Sequence, residues 1–139
     1  MAFTSSKISD GDRYVTVRCI NTGGAVAATK IIDASTLNFT DTLGTELLNL
    51  VGISVSADQD TNKINGKIFW GDATGALTAD VAYLIGSGLS GHQVECVKNT
   101  YTNSNGDVWF QTDSSTYTIT FTFEKVKGFY SSRRKPWSP

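Results

Sequence analysis

From Thr116 to Val126 the chain reads Thr-Tyr-Thr-Ile-Thr-Phe-Thr-Phe-Glu-Lys-Val, which puts Tyr117, Ile119, Phe121 and Phe123 on one face and threonines on the other. A period of two belongs to a β-strand, and threonine and aromatic residues both favour a pleated, half-buried surface. The same alternation returns in weaker form upstream. Arg13 to Asn21 sets Val15, Val17 and Cys19 against Tyr14, Thr16, Arg18 and Ile20. Thr22-Gly23-Gly24 reads as a turn, with Val26 to Asp33 as the second arm of a hairpin. Leu50 to Ala57 predicts a strand with Val51, Ile53 and Val55 inward. Lys63 to Gly71 follows it as a second hairpin, with Ile64, Ile68 and Trp70 on one side and a close approach at Gly66.

Between these, Leu43, Leu47 and Leu48 stand at helical spacing behind Thr40 or Asp41, and Gly44 limits them to a helical turn or two. Val81 to Ile85, Gln93 to Lys98 and Asp107 to Thr112 complete the set, the last delivered by the turn Asn103-Ser104-Asn105-Gly106. The expectation is an all-β chain: an antiparallel β-sandwich or jelly-roll-like fold of about eight strands. Its body runs over 13–127, with a short N-terminal arm at 1–12 and a C-terminal tail at 128–139.

Composition narrows the class. At 139 residues and 40% hydrophobic positions the chain supports one core and one domain. Charged residues are only 18%, so the surface is mainly hydroxyl and amide, which suits packing against neighbours. A net charge of -1 argues against a global attraction to nucleic acid. No apolar run reaches membrane-spanning length, and the first residues show no leader pattern, so folding in a cytoplasm is expected. Cys19 and Cys96 each sit beside valines and are read as reduced, core-facing thiols.

Several stretches imitate chemical motifs without their context. Gly86-Ser-Gly-Leu-Ser-Gly91 matches a dinucleotide fingerprint in letters, yet no helix pattern follows it. Asp58, Asp60 and Asn62 open like a calcium loop, but Lys63 stands where glycine is needed and Phe69 where a bidentate glutamate is needed. Ser90 lies two positions before His92, the sole histidine, without the spacing of a nucleophile elbow. No catalytic residue, metal site or cofactor is therefore expected, and the chain is read as a non-enzyme.

The tail differs from the body. Lys125, Lys127, Arg133, Arg134 and Lys135 are five of the twelve basic residues, interleaved with Phe129, Tyr130 and Trp137. Arg, Tyr and Trp dominate interface hot spots, so Phe129, Tyr130, Arg133, Arg134, Lys135 and Trp137 are candidate partner contacts. A solvated tail and a single-stranded nucleic-acid arm are the other readings, the last ranked lowest because the body offers no basic face to continue the track. Trp70, Trp109 and Tyr83, with Asp72 and Asp107, would form a sugar-stacking platform if they projected from one sheet face, with core packing as the alternative.

The order Lys30-Ile-Ile-Asp-Ala-Ser-Thr-Leu37, Ile64-Asn-Gly-Lys-Ile-Phe-Trp-Gly71, Tyr83-Leu-Ile-Gly-Ser-Gly88, Gly106-Asp-Val-Trp-Phe-Gln-Thr112 and Tyr117 to Lys125 resembles small virion structural proteins of tailed bacteriophages. The likeness spans about Arg13 to Lys125. It implies a capsid decoration or cement protein, or a neck, tail or fibre component, located in the virion. Its partners would be the major capsid protein or other virion proteins; a homo-oligomer is expected on separate grounds, because the symmetry of a trimer or larger ring would bury exposed aromatic residues. A carbohydrate-binding module is the alternative of a different class.

Overall fold

The alternation at the C-terminal end becomes the longest strand and the centre of the larger sheet. The computed structural model describes residues 3–22, 25–40, 46–57, 66–72, 77–85, 91–99, 104–112 and 116–129. These hold the strands β1 (Phe3–Asp10), β2 (Tyr14–Thr22), β3 (Val26–Ile32), β4 (Leu47–Ala57), β5 (Gly66–Asp72), β6 (Leu77–Ile85), β7 (Gly91–Val97), β8 (Ser104–Thr112) and β9 (Thr116–Lys127), with a 3-10 turn at Ala34–Thr36. A five-stranded sheet has the order β1-β2-β9-β4-β7 and a four-stranded sheet the order β3-β8-β5-β6. Every pairing is antiparallel. Four of them nest: β5 with β6, β4 with β7, β3 with β8 and β2 with β9. The chain from β2 to β9 is thus one long hairpin folded over itself, closed by the β4–β9 and β5–β8 ladders.

The two sheets share one core. Val15, Val17, Cys19, Tyr117, Ile119, Phe121 and Phe123 come from one sheet, Ile68, Trp70, Val108 and Phe110 from the other. Phe110 sits at its middle, edge-on to Phe121 at 5.2 Å and to Tyr117 at 6.2 Å. Such edge-to-face contacts match the positive ring edge to the negative ring face.

Several expectations need correction. Neither predicted hairpin forms, because β2 and β3 belong to different sheets, as do β4 and β5. Turn chemistry marks a reversal but does not say whether the chain returns to the same sheet or crosses to the facing one. The residues expected as an N-terminal arm form β1, laid along β2 from Phe3 opposite Asn21 to Asp10 opposite Val15.

In place of helical turns near 34–50, the described residues show only the short 3-10 turn, capped by Asp33, whose carboxylate accepts from the Ser35 amide at 3.1 Å. Leu47 and Leu48 already belong to β4, whereas Leu43 lies outside the described residues. The polar turn at Asp58–Asn62 and the strand start at Lys63–Ile64 also fall outside them.

Val51 does not face inward as its parity predicted. Leu50 pairs with Phe123 and Gly52 with Thr122, so Val51 is the extra residue of a β-bulge. The bulge shifts the phase of the strand. Leu48 and Leu50 face the core before it, Ile53 and Val55 after it.

Candidate functional site

The proposed contact residues divide at Phe129. Tyr130, Arg133, Arg134, Lys135 and Trp137 lie outside the described residues. Phe129 does not join them as an exposed contact: it is fully buried in this chain's own core and forms a bridge with Thr40. Lys125 likewise is not a tail cation. Its ammonium is completely buried and donates to the Asp10 carboxylate, to the Gly11 carbonyl and to the Asn38 carbonyl. All three N–H donors are thereby satisfied, as a buried charge requires.

The rings of Phe129 and Phe39 flank the same ammonium at 5.0 and 5.5 Å. Phe39 is the one described non-glycine residue with positive φ, at 64°, and stays 49% exposed. The other carboxylate oxygen of Asp10 accepts from Lys7 at 3.0 Å and from the Asn38 amide at 2.9 Å. Burial alone would raise the Asp10 carboxyl. The hydrogen bonds from Lys125, Asn38 and Lys7, with the Lys125 charge, outweigh it and hold the group below its usual range.

Sequence reasoning missed this clasp, although position 125 has the parity of Tyr117, Ile119, Phe121 and Phe123. The buried face of β9 simply continues through a lysine.

The outer face of the larger sheet carries the threonines. Register sets Ile20, Thr118 and Ser56 in one row, Arg18, Thr120 and Ser54 in the next, and Thr16, Thr122 and Gly52 in the third. The serines, Arg18 and Ile20 are exposed, and the threonines are half-buried against one another. Short hydroxyl side chains lose little rotamer freedom on contact, so a surface of this kind offers hydrogen bonds at small entropic cost. Where β2, β4 and β9 end together, Ile20, Thr22, Ser56, Thr116 and Thr118 line a shallow cleft of about 290 Å³.

Trp70 and Trp109, two of the residues considered for sugar stacking, do not share a face. Trp70 is 5% exposed and packs in the core. Trp109 pairs with Phe69 and with Lys30 on the opposite face of the smaller sheet. There the Lys30 ammonium lies 5.6 Å over its ring, and its buried indole N–H has no acceptor among the described residues. Asp107 is held internally by the Ala34 amide at 2.9 Å and by Lys30 at 3.1 Å. The side chains of Tyr83 and Asp72 are outside the described set. Among the described residues no group of three or more His, Cys, Asp or Glu is placed to hold a metal ion, and no helix is long and apolar enough to cross a membrane.

Comparison with known proteins finds no matching family model, no matching curated protein and no matching solved structure. The functional reading therefore stands on strand order, on the hydroxyl face and on the resemblance carried by the sequence.

Proposed function

We propose that this chain is a non-enzymatic virion structural protein of a tailed bacteriophage, a decoration protein that binds the major capsid protein and stabilises the shell. The observation that carries the reading is the nested pairing of β2 with β9, β3 with β8, β4 with β7 and β5 with β6. A long hairpin wrapped in that way is a jelly roll, a β-sandwich of two interlocked Greek keys that recurs in viral capsid domains and in lectins. We read β1 as an addition to its edge.

Fold does not fix function, so the surface must supply the rest. The hydroxyl rows of the larger sheet are the contact face, and multiplication over many equivalent capsid sites turns a modest contact into stable attachment. Trp70 in the core weakens the carbohydrate-module reading, because burial takes it off the face that carries Trp109.

The test is quantitative mass spectrometry of purified, salt-washed particles of the phage that encodes the chain. Many copies per particle, in fixed ratio to the major capsid protein, are expected. A few copies would move the protein to the neck, tail or fibre, and its absence from particles would overturn the virion role.

A further inference from the structure

We propose that β1 is a releasable strand, fastened to the body by the buried Lys125 clasp and freed when that clasp opens, leaving β2 as the edge of its sheet. The first ground is burial. Thr4 to Ser9 are exposed on both faces of the strand, and only Phe3, 6.2 Å from Phe110, reaches the core. β1 therefore holds on mainly by its backbone ladder to β2, and that ladder is broken between Lys7 and Ser9. Elements with little apolar burial open first and independently of the rest.

The second ground is geometry. Lys125 gathers the end of β1 through Asp10 and Gly11, the loop after the 3-10 turn through Asn38, and the end of β9 by its own position. The Lys125 amide also donates to the Arg13 carbonyl at 2.7 Å, so the turn after β1 is held at the same place. The groups that face Asp10 are Lys7 from its own strand, Lys125 from β9 and the Asn38 amides from the loop. On β2 its register partner is the uncharged Val15. Neutralising Asp10 removes the only anion in that set and leaves two cations facing an amide or acid.

The experiment is hydrogen exchange of the full chain at one neutral pH, read by mass spectrometry, for the wild type, Asp10→Asn and Lys125→Met. Alkylation of Cys19 gives a second readout. Cys19 is fully buried and opposite Ser5, so lifting β1 removes its cover.

In both variants exchange over residues 3–10 and alkylation of Cys19 are expected to rise at least tenfold, while residues 117–123 stay within twofold of the wild type. Unchanged protection of residues 3–10 would overturn the proposal. So would an equal rise in β1 and β9, which would make the clasp a support of the whole fold. If Lys125→Met does not fold, Asp10→Asn, which keeps the side-chain shape, decides alone.

Discussion

The hydroxyls of Thr112 and Tyr117 lie 2.8 Å apart in the buried end of the core, joining the last residue of β8 in one sheet to β9 in the other. This is a side-chain bond between sheets that share no backbone ladder at that point. Tyr117→Phe keeps the ring against Phe110 but leaves the Thr112 hydroxyl buried with one partner fewer. A loss of about 1–2 kcal/mol is expected. Denaturant titration should show a lower midpoint at unchanged slope. Thr112→Val should cost a similar amount, and the double variant less than the sum, because the two share one bond.

Acid should loosen the domain through Asp10. Its carboxyl is held below the ordinary value of 3.8, so its contribution is complete above that value and disappears as pH falls through the lower folded value. Thermal midpoints of the wild type should be flat from neutral pH to about pH 5 and fall below pH 4. Asp10→Asn should start lower, by about 1.5–3 kcal/mol for the charged hydrogen bonds removed, and show a shallower acid slope. An equal slope in both proteins would place the acid sensitivity elsewhere, with Asp33, lowered chiefly by its Ser35 hydrogen bond, as the next carboxylate to replace.

Gly106→Ala is expected to be strongly damaging, more so than a methyl at Gly11 or Gly52. The residue has φ of 88°, and a Cβ there would stand 2.8 Å from the Ala34 Cβ and overlap the Glu46 carbonyl. Strained backbone and overpacking together should remove about 3 kcal/mol or more, enough to lower soluble yield sharply. Gly11→Ala, whose Cβ would meet only the Tyr14 carbonyl at 3.8 Å, is the matched control and should be nearly neutral.

Cys19 should resist thiol reagents as long as β1 stays in place. Burial pushes its thiol up to about 12, and the side chain has no exposed surface. At pH 8 the thiolate fraction is then on the order of one in ten thousand. Alkylation of the Cys19 peptide in native protein should therefore run at least a hundredfold slower than in denatured protein. A comparable rate in both would mean that β2 is not covered as described.

Where one face is wet and the other dry, the chain spells out its structure. Val15, Val17 and Cys19 in β2, and Tyr117, Ile119, Phe121 and Phe123 in β9, are buried as their alternation predicts. β1 was not legible because both its faces meet solvent, so no apolar period marks it. The bulge at Val51 was hidden because Leu50, Val51, Ile53 and Val55 are all apolar, and nothing in hydrophobicity shows where the phase slips. The hydroxyl face was visible as a run of threonines, but not its neighbours Arg18 and Ser54, since partner strands distant in sequence set the rows. In sequence Lys125 groups with the basic tail because charge is ordinarily a surface signal. Its burial depends on Asp10, Gly11 and Asn38, which only the folded chain brings to it.

The position of β9 also governs how the protein can be made. It is the last of the described strands and the one that joins β2 to β4, with Tyr14 opposite Glu124 on one side and Asn49 opposite Glu124 on the other. Until β9 is in place this bridge is missing, so β1–β2 and β4–β7 remain separate two-stranded ribbons that are marginal in water. Closure of the larger sheet is then a late step, slow for its size because β9 pairs with strands far from it in sequence. Until that event, Phe121 and Phe123 have no place to go, and the unfinished chain depends on its threonines and charges to stay apart from its neighbours.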